Sequence, residues 1–171
     1  MVQPTRTTRP RQQRLQYKGK LYSKGVQTDR LLRDIKTVQR ELTTLNQDDV
    51  DLESLQDVSK QLIQPQLMLH KDKGVKVTVA CCLADILRLY APDPPFMANE
   101  LRDLFQFFIH LLTQNQKSGV GLACPQGAHF QEYYHLLESL SKVKSILIIT
   151  ELNGAEEMMH DLFKGFLDLI K

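Results

Sequence analysis

The sequence predicts an all-α fold. Apolar residues return at steps of three and four in segment after segment, the spacing that puts them on one face of a helix. No stretch of useful length alternates with period two; the nearest is the short run 142–149, Lys-Val-Lys-Ser-Ile-Leu-Ile-Ile, which mimics a strand. The breaks between apolar stripes hold the polar, glycine and proline residues that helices avoid.

Taken in order, Thr28 and Asp29 give the first helix a start, an acceptor side chain and a negative charge in the first turn. Leu31, Ile35, Val38, Leu42 and Leu45 then form a heptad-like stripe. Residues 46–51 are a polar break. Leu52, Leu55, Val58 and Leu62 form a second stripe, which Pro65 kinks or restarts. Residues 71–74, Lys-Asp-Lys-Gly, read as a turn into the most apolar helix. There Val75, Val79, Cys82, Ile86 and Leu89 share a face that Leu83, Leu87 and Tyr90 widen, so packing on more than one side is expected. Leu101, Leu104, Phe105, Phe108, Leu111 and Leu112 mark the next helix, and residues 115–127 a long loop with three glycines and a proline. Tyr133, Leu136, Leu137 and Leu140 start another, and residues 146–152 a short one. Met158, Met159, Leu162, Phe163, Phe166, Leu167 and Ile170 form the last, whose broad apolar face has no following helix to cover it. Dimerisation through that face is therefore expected.

At 171 residues the chain suits one domain with a core of its own. The expected division is an irregular arm, residues 1–25, and a helical domain, residues 26–171; Leu15, Tyr17, Leu21 and Tyr22 are placed to pin the arm's second half. Net charge +2 hides an asymmetry, since Arg6, Arg9, Arg11, Arg14, Lys18, Lys20 and Lys24 lie in the first 24 residues without one acid. The rest is near −5. Phosphate contacts on DNA by these seven side chains are one expectation, and a solvated tail or nuclear-targeting run is the plainer one. Cys81, Cys82 and Cys124 make an odd count with no disulfide framework, and the adjacent pair reads as buried small apolar residues, which fits a reducing compartment. No apolar run or leader pattern argues for a membrane.

Enzyme chemistry finds no pattern. Five scattered histidines form no relay or metal-binding spacing; His135 four residues before Ser139 reads as a chance pair on a helix face. Cys124 and His129 lack a second pair of ligands, so no metal and no cofactor is expected. Asp72 and Lys76, at the turn into the apolar helix, read as structural charges.

The segment 81–96, CCLADILRLYAPDPPF, carries the functional signal. Pro92 stops the helix and, with Pro94 and Pro95, makes a stiff loop in which Ala91, Asp93 and Pro94 are expected to be extended. Tyr90 and Phe96 flank it. A stiff, exposed loop loses little entropy when a partner docks. The candidate partner-binding residues are Tyr90, Ala91, Pro92, Asp93, Pro94, Pro95 and Phe96.

HKDKGVKVTVACCLADILRLYAPDPPF, residues 70–96, closely resembles the N-terminal region of the precocious-dissociation-of-sisters (Pds-five) family, large regulators of cohesin. The match holds at His70, Lys71, Asp72, Gly74, Lys76, Ala80 to Leu83, Asp85, Ile86, Arg88, Tyr90 to Asp93 and Pro95. Pro94 and Phe96 depart from the Ala and Tyr usual there. A weaker likeness runs from about Asp29 to the C-terminus, and the first two dozen residues carry almost none. Periodicity does not separate a globular bundle from a solenoid, but the resemblance implies a HEAT-repeat-like α-solenoid, of which this is an N-terminal piece. It also implies a nuclear, chromosome-associated, non-enzymatic scaffold that maintains cohesion and helps release cohesin. The implied partners are the kleisin subunit, the Wings-apart-like release factor and the cohesin acetyltransferase, with short segments of the regulators docking at Ala91 to Pro95. The main kleisin-binding spine is expected further along the full protein.

Overall fold

The computed structural model describes residues 12–114, 122, 125–142 and 154–170. Arg6, Arg9, Arg11, Cys124, most of the 115–127 loop and the 143–152 stretch lie outside them, as do the side chains of Leu162, Phe166 and Ile170. Among the described residues there are seven α-helices and no strand, only an isolated bridge between Gln13 and Val50. The helices are α1 (Thr28–Thr44), α2 (Gln56–Leu62), α3 (Pro65–Met68), α4 (Lys73–Tyr90), α5 (Ala98–Gln114), α6 (Phe130–Lys142) and α7 (Ala155–Ile170), with a 3₁₀ turn at Leu52–Leu55 before α2.

Helix α4 is the axis of the domain. It packs against α1 on one side and α6 on the other, with α2, α3 and the 3₁₀ turn closing over it. The predicted stripe is buried, and so are Val77, Ala80, Cys81, Leu83 and Leu87, leaving Lys73, Lys76, Arg88 and Tyr90 to reach solvent. The adjacent cysteines divide between the neighbours: Cys81 Sγ lies 3.1 Å from the Glu132 carbonyl of α6 and Cys82 Sγ 3.7 Å from the Ile35 carbonyl of α1. Burial pushes both thiols well above the usual range, which leaves little thiolate to react. Helix α5 packs on α7, burying Met158. Phe163 and Leu167 stay 56% and 61% exposed, so part of the last helix is open as its apolar spacing suggests.

Several local expectations need correction. Thr28 does not cap α1; it is the first helical residue, and Gln27 before it makes no side-chain cap. Asp29 does lie in the first turn, where a carboxylate meets unpaired amides. The turn at 71–74 is shorter than its composition suggests, because Asp72 is the cap of α4, its Oδ1 accepting from the Val75 amide at 2.8 Å. That leaves Gly74 inside the first turn of α4, where the His129 ring sits so close that a Cβ would meet Cε1 at 2.9 Å. Pro65 restarts the chain as the first residue of α3, the one helical position where a missing amide costs nothing.

Residues 12–27 are irregular, yet from Gln13 to Leu21 they are strapped to the body. The strap's Gln13 bridges the 46–51 connection through Gln13 N–Asp49 O and Asp51 N–Gln13 O, both 2.8 Å. Side chains of the body then accept from successive strap amides: Ser54 Oγ from Leu15, Glu41 Oε2 from Gln16 and Tyr17, and Gln61 Oε1 from Leu21. Leu15 and Leu21 are buried and Tyr17 packs on the core, while Tyr22 faces solvent. These acceptors substitute for the partners a strand or helix would supply.

Candidate functional site

The proline loop begins where α4 ends. Ala91 is extended (φ −54°, ψ 136°), as a residue before proline must be. Asp93 is not extended in the expected sense. The Ala91–Pro92 peptide is cis and the Asp93 amide donates back to the Tyr90 carbonyl at 2.9 Å, giving a partner to a carbonyl that the helix end would leave open.

Two side chains hold the base of this turn. Tyr90 Oη donates to the Leu52 carbonyl at 2.7 Å, its phenol pKa raised by burial and by nearby Asp51, so it stays protonated and able to donate. Gln47 Nε2 donates to the Ala91 carbonyl at 2.6 Å. The far end is held by Glu100, which reaches back to accept from the Met97 amide at 2.8 Å and starts α5. Phe96 and Pro94 are half-buried, with Phe96 packed on the core, whereas Pro92, Asp93, Pro95 and Met97 are exposed. The loop is thus pinned at both ends and bare in the middle. Gln47 was not legible as a site residue, because it sits in a polar break 44 residues upstream of its partner.

A second polar assembly lies inside the domain. Asp85 on α4 is 1% exposed, and three helices converge on its carboxyl. From α6, His135 Nε2 donates to Oδ2 at 2.9 Å and Ser139 Oγ to Oδ1 at 3.2 Å; from α1, Thr43 Oγ1 lies 3.3 Å from Oδ2. Arg88, one turn on, stands 3.5 Å away and donates to the carbonyls of Leu42 at 3.0 Å and Leu45 at 3.3 Å, closing the C-terminal end of α1. His135 and Ser139 are therefore not a chance pair, but neither are they a nucleophile and its base. A hydrolytic relay places carboxylate and hydroxyl on opposite ring nitrogens. Here both meet Nε2, and the buried serine hydroxyl is directed to the carboxylate.

The cluster carries a pH dependence. The hydrogen bond to Asp85 raises the His135 pKa above 6.5, partial burial opposes it, the charges of Asp85 and Glu138 add to the rise and Arg88 subtracts from it. A group whose pKa is higher folded than unfolded stabilises fully below its unfolded value and loses that contribution as pH climbs through the folded value. Thermal unfolding from about pH 6 upward should therefore erode the parent more than His135→Gln. Parallel pH profiles for the two would show that His135 is not the titrating tie.

Lys36 of α1 meets Glu132 of α6 at 3.5 Å, a further tie across α4. Of the seven cationic arm residues, Arg14 is held by Asp51 at 2.7 Å, while Lys18, Lys20 and Lys24 are exposed. Among the described residues no group of three metal-ligating side chains occurs, and no helix is long and apolar enough to cross a membrane.

An axis helix packed between α1 and α6, with a braced inter-helix loop at its end, marks a HEAT-repeat-like α-solenoid segment. A solved structure of the Pds5–Scc1 complex shares it, with a TM-score of 0.82 at 30% identity over 91% of this chain and 22% of that one. The sequence model of the family "Sister chromatid cohesion protein PDS5 protein" matches residues 29–171, and the chain belongs to that family. The Schizosaccharomyces pombe sister chromatid cohesion protein pds5 is 37% identical over 144 residues, and the Saccharomyces cerevisiae protein PDS5 36% identical over 143, each covering 84% of this chain and 11% of the relative. The human PDS5 homolog A is 32% identical over 147 residues, 85% of this chain and 10% of the relative. The chain thus spans about a tenth of the length of these curated relatives.

Proposed function

We propose that this chain is part of a non-enzymatic scaffold that regulates cohesin on chromosomes in the nucleus, and that its share of the work is to dock short regulator segments on the loop from Tyr90 to Phe96. The observation that carries the reading is a loop held at its base by Gln47 and Tyr90 while Pro92, Asp93 and Pro95 stay exposed. Family membership supports cohesin as the setting, and the solved neighbour is a complex with Scc1. Segments of the Wings-apart-like release factor and of the cohesin acetyltransferase are the proposed ligands; the kleisin subunit is proposed to bind elsewhere in the full solenoid. Asp93, exposed and acidic, suits an arginine or a peptide amide.

Fluorescence anisotropy with labelled release-factor and acetyltransferase peptides tests this. Asp93→Lys should weaken binding by at least about tenfold, the loss of a charge-assisted hydrogen bond, with Tm and helical circular dichroism unchanged. A loop variant that binds every such peptide as the parent does, or that unfolds the domain, would make the loop a structural linker.

A further inference from the structure

We infer that the strap and α2 together form a binding site for a polyphosphate backbone, with duplex DNA as its ligand. A cleft of about 490 Å³ opens between residues 20–24 and α2–α3, lined by Lys20, Lys24 and Lys60 and by Gln61, Gln64 and Gln66, with no carboxylate among its walls. Lys60 and the glutamines belong to the helical body, so the site is not a property of the arm alone.

The cleft is built rather than incidental. Gln61 accepts from the Leu21 amide at 2.7 Å and its Nε2 lies 3.4 Å from the Gly19 carbonyl, stapling the strap to α2 on either side of Lys20. Leu21 is buried between exposed Lys20 and Tyr22, so the chain at this point turns one side inward and the other out. Val26 then donates to Ser23 at 3.1 Å, and Gly25 takes a φ of +86° that an L side chain rarely adopts, directing the chain from Lys24 into α1. The lysines are therefore brought together by backbone constraints. Among the described residues Lys20, Lys24 and Lys60 form no ion pair, whereas Arg14, Lys36 and Lys142 each have a carboxylate within 3.5 Å.

Charge arrangement favours a repeating backbone over a single phosphate. Three cations from the strap and α2 line one cleft, and the strap's sequence holds no acid before Asp29. The adjoining cleft toward the strap's start shares Lys60 and Gln61 but is mixed, lined by Glu53 and Asp57 as well as by Arg14 and Lys18, and contributes little. Lysines that neutralise phosphates release counterions, and each contact removed lowers the salt slope of binding by about 0.9.

The test is anisotropy of a labelled random-sequence duplex with the whole chain at about 50 mM and about 200 mM salt. The triple variant Lys20→Ala, Lys24→Ala, Lys60→Ala should bind more weakly at the lower salt and show a slope smaller by about 2 to 3, with Tm unchanged. The charge-matched variant Lys71→Ala, Lys73→Ala, Lys164→Ala, outside the cleft, should keep the parent slope. Equal losses in both variants, a parent slope in the cleft variant, or capture of a phosphopeptide with no duplex bound by the parent would each overturn the assignment.

Discussion

Replacing Asp85 with alanine should lower the unfolding midpoint by roughly 10 °C. Breaking a buried ionic or hydrogen-bonded centre by removing one member costs about 3 to 5 kcal/mol, and His135 and Arg88 keep some access to water, which places the expected loss near 3 kcal/mol. At this chain length each kcal/mol is worth about 2 to 4 °C. Removal leaves the buried Ser139 hydroxyl without its carboxylate acceptor and Arg88 without its counter-charge. Ser139→Ala removes one donor from a carboxyl that keeps its others, and should cost about 1 kcal/mol. Differential scanning calorimetry of the two variants checks both the size and the order. Equal, small shifts would mean that Asp85 is a passive buried acid.

Leu21→Ala should destabilise by about 3 kcal/mol although the residue lies outside every helix. Its side chain is completely buried and belongs to the same core cluster as Leu31, Leu55 and Leu62. Lys20→Ala, one residue away and exposed, should stay within about 0.5 kcal/mol of the parent. Chemical denaturation of the pair gives the contrast. A Leu21 variant as stable as the Lys20 variant would make the strap a decoration on the surface.

The helices were legible where one face is buried. In α1, Leu31, Ile35, Val38 and Leu42 are the buried residues and also the sequence's clearest stripe. The axis role of α4 showed in the breadth of its apolar face, and the end of α4 in Pro92. What periodicity does not show is which polar residues meet. Asp85 finds its partners 42, 50 and 54 residues away, and a hydroxyl or imidazole on a helix face looks the same whether it points to water or to a buried carboxyl. The spacing of His135 and Ser139 was visible and its third member was not. The strap's apolar anchors Leu15, Tyr17 and Leu21 were legible, but its polar staples were not: a backbone satisfied by Glu41, Ser54 and Gln61 leaves no repeating pattern of its own. The exposure of Pro92, Asp93 and Pro95 was legible because proline acts locally. The loop's turn back onto Tyr90, and the brace from Gln47, depend on groups that sequence order keeps apart.

The convergence on Asp85 also limits how the loop can be transplanted. A designer who lifts only α4, the proline segment and α5 into another scaffold removes α1 and α6, and with them the hydroxyls and imidazole around Asp85 and the carbonyls that Arg88 closes. The loop would also lose Gln47 and the Leu52 carbonyl, the two groups that set its pose. The smallest portable unit is therefore the stretch from α1 through α6. A shorter graft needs an apolar residue at 85 and a new brace beneath Ala91.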